Sequence, residues 1–376
     1  MRVLFASFGA PSHFYPMVPL AWALRAAGAE VRVVHPPGFG DTVAAAGLLS
    51  VCAGQPAADG WGPADAGEPA DVRERERQRS LRAVAVFARV AESMASEAVE
   101  LAASFRPDLV VFEPRAYAGL LAARAVEVPA VRHLYGTDYT YGRLELERPV
   151  LEPFLRRHGL AIEDAEGQLT VDPCPPALQW PTTDRRRLMR YVPYNGAGVE
   201  PDWLFGSGRR LRLCVTWGTT SGRLLKHLAP VHHVLNAVTD LDVEVVLAVR
   251  SADRPLVGDV PDGVRVVPDL PLHLLLERCA AIVHHGGAGT TITSLVCGVP
   301  QLVLPQIADQ FGNGERVQDC DAGLCLELRM ATVARIRAAV AALLAEPGFR
   351  RAAQRAAAES RRQPSPARVA AELMRS

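Results

Sequence analysis

Lysine is almost missing from this chain: Lys226 is the only one in 376 residues, so nearly every basic side chain is an arginine. A P-loop requires Gly-Lys-Ser/Thr, and Leu225-Lys226-His227 does not supply it, which excludes that class of nucleotide site. Aromatics are scarce, at 6%, and formal net charge is zero. Nothing in that balance offers a surface to nucleic acid or to a membrane. No apolar run is long enough to span a bilayer. Met1–Phe8 is strand-length, with no long apolar region or A-x-A site behind it, so no signal peptide is expected. The seven cysteines (Cys52, Cys174, Cys214, Cys279, Cys297, Cys320, Cys325) are odd in number and show no C-x-x-C spacing. That pattern fits reduced thiols in a cytoplasm rather than disulfides or zinc. His227 and His232-His233 lie on a helical stretch without ligand partners, so no metal site is expected.

What is present is two α/β runs. The length suggests two domains with sizeable cores. Arg2–Phe8 reads as a strand, Gly9-Ala10-Pro11-Ser12-His13 as a loop and Pro16–Ala27 as a helix stopped by Gly28. Strands follow at Ala29–His35 and Gly47–Cys52, then a Gly/Pro/Ala-rich loop at Gln55–Ala70. Asp71–Arg82, DVRERERQRSLR, opens a long helix reaching Phe105, its charges a solvated face. Leu109–Phe112 and Val128–Leu134 are strands around a helix at Tyr117–Val126; Leu144–His158 is a helix, and Leu169–Asp172 and Leu188–Val192 are edge segments. Leu211–Trp217 starts the second run, with a loop at Gly218–Gly222, a helix at Leu224–Thr239 and strands at Val243–Val249, Val264–Val267, Ala280–Val283 and Gln301–Leu304. Helices at Thr332–Ala345 and Phe349–Arg361 follow, and a last one after Pro364-Ser365-Pro366. Alternation of buried strands and helices indicates α/β, doubly wound parallel sheets, Rossmann-like in each half. The expected division is an N-terminal domain 1–195, a breaker-rich linker 196–210 and a C-terminal domain 211–363. Residues 364–376 would form a terminal helix that could pack back on the first domain. Ligands of such sheets bind beyond the carboxyl ends of the strands, so the glycine loops of both halves are expected to line one interdomain cleft.

The centre of the second run is Ala280–Gly298, AAIVHHGGAGTTITSLVCG. A short buried strand, a glycine loop and a helix closed by Gly298 point backbone N–H groups and a helix N-terminus at one spot. That end carries about half a positive charge and favours phosphate. Thr290 and Thr291 can add hydroxyl donors, and small residues let a diphosphate approach the backbone. The alternative is a tight strand–helix turn with no ligand. A dinucleotide fingerprint would begin at Gly287-Ala288-Gly289, but Ile292 holds its last position and the loop comes late, so NAD is not expected.

Three positions invite chemistry. His13 follows the first strand, and an imidazole titrating near pH 6.5 is the natural general base around neutrality; equally, it could be a loop residue capping a helix that starts near Tyr15. Asp309-Gln310, after the strand beyond the phosphate loop, suits sugar hydroxyls, while Asp309 could also serve as a helix cap. Glu113, at another strand end, is a weaker candidate, a buried carboxylate paired with an arginine being as plausible.

These motifs together resemble a known family. Val283–Thr291, VHHGGAGTT, with Gly298-Val299-Pro300-Gln301 and Ala308-Asp309-Gln310-Phe311, resembles the family 1 glycosyltransferases of the GT-B fold, above all the bacterial enzymes that attach deoxysugars to antibiotics. Ser12-His13-Phe14-Tyr15-Pro16-Met17-Val18-Pro19-Leu20 matches that family's first loop and helix. Asp172–Pro176 and Arg190–Gly196 look like the subgroup acting on aromatic polyketides and macrolides. The resemblance covers essentially the whole chain. It implies that His13 deprotonates the acceptor, helped by Glu113, by Asp309 or by no acid. His285 with Gly287, Ala288, Gly289 and Thr290 would cradle the donor diphosphate, Thr219 would add a phosphate contact, and Asp309 and Gln310 would face the donor sugar. Two departures stand out. The tryptophan that stacks the nucleobase in many relatives is Asp269 here, so base recognition would rest on backbone around Leu270 and Leu272, leaving TDP and UDP open. The aspartate that orients the histidine in the plant enzymes falls here near Tyr117 or Ala118.

The expected function is therefore an inverting, metal-independent transferase. It would move a deoxysugar from a TDP-sugar (or UDP-sugar) to a natural-product aglycone such as a polyketide. O-linkage is favoured and C-linkage allowed. No cofactor is expected, and the partners are the nucleotide sugar and the aglycone, with a homodimer left open. Alternatives are a sugar-nucleotide epimerase of the same fold and a non-catalytic protein that binds nucleotide sugar.

Overall fold

The computed structural model describes residues 1–56, 72–181, 186–205, 210–218 and 228–375. The chain divides into two compact units: Met1–Pro173 with Trp180–Val192 and Pro364–Ser376, and Cys174–Gln179 with Pro193–Gln363. This division assigns Cys174–Gln179 and Pro193–Asn195 to the second unit rather than to a continuous 1–195.

The first unit is built on seven parallel strands: β1 (Arg2–Ala6), β2 (Glu30–His35), β3 (Leu49–Cys52), β4 (Leu109–Phe112), β5 (Ala130–His133), β6 (Leu169–Asp172) and β7 (Arg186–Leu188). Their spatial order is β3-β2-β1-β4-β5-β6-β7. Every residue of β4, LVVF, is buried, as a strand covered by helices on both faces requires. The long helix Val72–Phe105 supplies one cover, burying Val84, Phe87, Ala91, Met94, Ala98 and Ala102 at helical spacing. Strand order reverses between β1 and β4, which pair with Val3 opposite Leu109 and Ala6 opposite Phe112. The connections after these two strands leave to opposite sides and open a crevice at their carboxyl ends.

The second unit repeats the plan with β8 (Leu211–Thr216), β9 (Val243–Val249), β10 (Arg265–Pro268), β11 (Ala281–His284), β12 (Gln301–Val303) and β13 (Gly323–Cys325). The order is β10-β9-β8-β11-β12-β13, so the reversal falls between β8 and β11. The described exits of β8, at Trp217-Gly218, and of β11, at His285-Gly286, both leave from that switch point.

Three differences from the sequence reading are informative. Leu188–Val192 is not the edge strand; β7 lies earlier, at Arg186–Leu188. Its leading arginine is drawn inward by charge, bonded to Asp138 and, at 2.8 Å, to Asp172. The strand β13 carries only three residues and a glycine, too little pattern to register. Helical structure begins at Pro11, not near Tyr15, because proline's fixed φ suits the first helical position; His13 sits inside this first turn. The loop expected at Gln55–Ala70 lies almost wholly outside the described residues, as does the start of the helix expected from Leu224. The helix Pro366–Leu373 belongs to the first unit and packs on Val18–Ala26. Among the described residues no helix is long and apolar enough to cross a membrane.

Candidate functional site

In the first unit the connections after β1, β4 and β5 converge on one imidazole. His13 Nδ1 lies 3.1 Å from Glu113 Oε2. A carboxylate has only lone pairs to offer, so Nδ1 carries the proton and donates it, and Nε2 of the neutral ring keeps its lone pair. Glu113 is fully buried and is itself held: Phe8 N–H donates to Oε1 at 2.9 Å and Arg115 N–H to Oε2 at 2.8 Å. Among the described residues no arginine side chain forms the partnership considered for Glu113. The Arg115 guanidinium goes instead to Glu147, by two bonds of 2.6 and 2.8 Å, and to the Tyr117 hydroxyl at 3.0 Å. Arg115 stays charged against its own desolvation: burial lowers its pKa, but the Tyr117 phenol and the Glu147 carboxylate raise it well above the usual value. Tyr117 and Ala118 are buried core residues, so neither stands in for an orienting acid. The imidazole face is covered as well. Tyr135 stacks on it at 4.0 Å between centroids and 17° between planes, with Phe8 and Phe87 tilted at 5.9 and 6.2 Å.

In the second unit, β11 ends in His284 and the chain turns through Gly286, whose φ is +91°. A Cβ there would also lie 2.8 Å from Val303 Cγ1 and 2.9 Å from the Gln310 carbonyl, so only glycine fits. Gly287 is the N-cap of the helix Ala288–Val296, and no side chain caps that end. At Gly289 the space a Cβ would take is open among the described atoms, to 4 Å. The two histidines have different roles. His284 accepts from Gly286 N–H at Nδ1 (3.0 Å), so its proton is on Nε2 and goes to Gln301 Oε1 at 2.9 Å. Gln301 in turn donates to the Thr291 carbonyl at 3.2 Å. His285 is buried, and its Nδ1 has no partner among the described residues. Burial, then the adjacent His284, pulls its pKa down to about 3, while burial takes His284 to about 4. Both rings are neutral at physiological pH. Thr291 is 1% exposed and spends its hydroxyl on the Gly287 carbonyl (3.0 Å), so of the two threonines only Thr290 is placed as a further donor.

The loop after β12 is wired to this turn by a residue that sequence reading passed over. Asn313 Nδ2 donates both to the Gly286 carbonyl (2.9 Å) and to Asp309 Oδ2 (3.0 Å). Asp309 is the N-cap residue of the helix Gln310–Asp319 by position, but its side chain makes no capping bond. Gln310 Oε1 accepts from the N–H groups of Gln306 and Ile307, at 2.9 and 3.1 Å, which fixes the loop ahead of it. Ala308 takes a φ of +52°, a conformation that alanine holds only where its surroundings impose it. Trp217 Nε1 donates to Gln306 Oε1 at 2.6 Å, tying the exit of β8 to the same loop. Leu270 and Leu272 pack at the edge of the second unit's core, and Asp269 is engaged with Ser251, accepting from its backbone N–H at 3.1 Å. Thr219 lies outside the described residues. Among the described residues no group of three or more metal-ligating side chains assembles.

Comparison with known proteins follows the same lines. The chain matches the family described as Erythromycin biosynthesis protein CIII-like, its N-terminal domain over residues 22–218 and its C-terminal domain over residues 232–375. It is 40% identical over 375 residues to the L-demethylnoviosyl transferase of Streptomyces niveus, covering 98% of this chain and 97% of that protein. To the aklavinone 7-beta-L-rhodosaminyltransferase of Streptomyces galilaeus it is 38% identical over 423 residues, covering 100% and 95%. Among solved structures it is similar to the glycosyltransferase VinC in complex with dTDP, with a TM-score of 0.83, 34% identity and coverage of 100% and 99%. The spinosyn rhamnosyltransferase SpnG complexed with spinosyn aglycone gives a TM-score of 0.86 at 32% identity, with both chains covered in full. With likeness over its whole length and two Rossmann-like parallel sheets, the chain belongs to the erythromycin biosynthesis protein CIII-like family and is a glycosyltransferase of the GT-B fold.

Proposed function

We propose that this enzyme transfers a deoxysugar from a TDP-sugar to a polyketide-type aglycone, with inversion, without a metal ion and by O-linkage in preference to C-linkage. The relatives' names support the donor and acceptor classes: a rhodosaminyl transfer to aklavinone, and a related chain solved with dTDP. The single observation that carries the mechanism is the 3.1 Å bond between His13 and Glu113. With Nδ1 committed to the carboxylate, Nε2 takes the proton of the acceptor hydroxyl as that oxygen attacks the anomeric carbon. The sugar–phosphate bond breaks on the opposite face, so the anomeric configuration inverts. Glu113 stabilises the imidazolium that forms, and a positioned base of this kind contributes about a hundred- to ten-thousandfold.

The departing diphosphate carries the developing negative charge. The uncapped N-terminus of Ala288–Val296 and a proton on His285 Nδ1, which has no partner among the described residues, are suited to receive it, with Thr290 beside them. This is electrostatic stabilisation from fixed dipoles, the service a metal ion performs in other transferases. Asp309 and Gln310 are assigned to the sugar hydroxyls and Leu270 and Leu272 to the edge of the base. The test is a thermal-shift screen with TDP, UDP and GDP, followed by mass spectrometry of TDP-deoxysugars against an aglycone panel. A shift with TDP and a mass gain of one deoxyhexose are expected. Full turnover by a folded His13→Ala protein would sink the base assignment.

A further inference from the structure

We propose that Tyr135 is a positioning residue for His13, and this rests on the reading of His13 as the base. A single hydrogen bond fixes one atom of an imidazole and leaves the ring free to swing about that atom. Such a swing would carry Nε2, on the far side of the ring, away from an acceptor hydroxyl. Tyr135 removes it: its ring lies 4.0 Å from the imidazole at 17°, close to parallel, the one stacked partner the ring has among the described residues. Phe8 and Phe87 meet the same imidazole only at 5.9 and 6.2 Å and at tilts of 44° and 37°. The topology explains the placement. The strands β1, β4 and β5 are neighbours, so the segments leaving them deliver the base, the carboxylate at its edge and the aromatic plate at its face. Tyr135 lies two residues beyond β5, in a stretch whose sequence carries no motif.

The stack is a property of the ring, not of the hydroxyl. Tyr135→Phe therefore keeps kcat within about twofold, whereas Tyr135→Ala loses roughly 10- to 100-fold in kcat, the scale of a misplaced catalytic group, with the acceptor KM within about twofold. A rise in acceptor KM at unchanged kcat would make Tyr135 an acceptor contact and overturn the proposal, as would equal losses in the Phe and Ala variants. A measurement that needs no substrate runs beside it. In protein with ¹⁵N-labelled histidine at about pH 8, long-range ¹H–¹⁵N spectra report which imidazole nitrogen is protonated. His13 is assigned by the signal missing from His13→Ala. All three proteins should show His13 protonated on Nδ1, since the bond to Glu113 remains, with sharp signals in wild type and Tyr135→Phe and signals broadened by ring motion in Tyr135→Ala. Equally sharp signals in Tyr135→Ala overturn the proposal. If His13→Ala is fully active, the base reading itself fails; if it is inactive and Tyr135→Ala is not impaired, only the role of Tyr135 fails.

Discussion

Glu113 meets His13 because β1 and β4 are adjacent in the sheet although a hundred residues separate the two side chains, and the carboxylate arrives already saturated with backbone donors. Oε2 accepts from two N–H groups and Oε1 from a third, so the acid has no freedom to turn away from the ring.

That saturation makes Glu113→Gln doubly costly. One carboxylate oxygen becomes an NH₂ group facing a backbone or ring N–H. If it takes the Oε2 position it pushes His13 to the wrong tautomer, and if it takes the Oε1 position the Phe8 N–H goes unpaired. We expect a fall in kcat of roughly 10²- to 10⁴-fold and a loss of about 1–3 kcal/mol of stability, read by steady-state kinetics and urea titration.

Gly286 and Gly289 should respond in opposite ways to the same added methyl. Gly286→Ala meets Val303 and the Gln310 carbonyl below 3 Å at a positive φ, and should destabilise the fold by about 2 kcal/mol or more. Gly289→Ala meets no described atom within 4 Å and sits in a helix, where it should raise stability by up to about 1 kcal/mol. If the open space is where the diphosphate lies, the same variant binds TDP about tenfold or more weakly. Thermal melts and calorimetry with TDP separate the two effects.

Asn313→Ala removes both bonds that tie the glycine turn to Asp309 while leaving every side chain assigned to the ligand in place. A buried carbonyl at Gly286 left unpaired costs about 1–3 kcal/mol, and Asp309 loses a donor. The donor KM should rise and kcat fall. Asn313→Asp should be worse than Ala in both respects, since it sets a second carboxylate against Asp309.

Acid should loosen the second unit before neutral pH loosens anything. The pKa values of His284 and His285 are lowered to about 4 and about 3, against roughly 6.5 in an unfolded chain. Between those values the unfolded state binds protons that the folded state refuses. The stabilisation is thus complete above about pH 6.5 and declines as pH falls towards 4 and 3. Melting temperature followed from pH 7.5 to pH 4.5 should drop, with a shallower slope in His285→Asn. An equal slope in the two proteins would remove His285 from the explanation.

Chelation is expected to leave turnover unchanged, because the charges assigned to the leaving diphosphate all come from the chain. Activity measured after exhaustive EDTA treatment, with and without added magnesium, checks this.

The sequence made the sheets legible wherever burial was continuous. Leu109–Phe112 could be bounded to the residue because an uninterrupted apolar run marks a strand covered on both faces, and Val243–Val249 because only Glu244 breaks its run. It failed where charge went inside: Arg186 opens β7 because Asp138 and Asp172 await it, a pairing no local pattern announces. The glycine turn declared itself through residue types that few other structures need. Asn313 did not, since one buried amide in the polar run QFGNGERVQD looks like any solvent-facing residue of a helix. The His13–Glu113 bond was visible only as one option among three, because adjacency of strands is a fact about topology rather than spacing. Tyr135 gave no signal at all, for a stacked plate needs nothing from its sequence neighbours.

The helix Pro366–Leu373 joins the Met1–Pro173 unit although every residue of the other unit is translated before it. The half that emerges first from the ribosome must therefore wait, with the Val18–Ala26 face uncovered, until the other half has been made. An isolated N-terminal fragment inherits that bare face permanently, and grafting halves between relatives will work only when the tail travels with the head it covers.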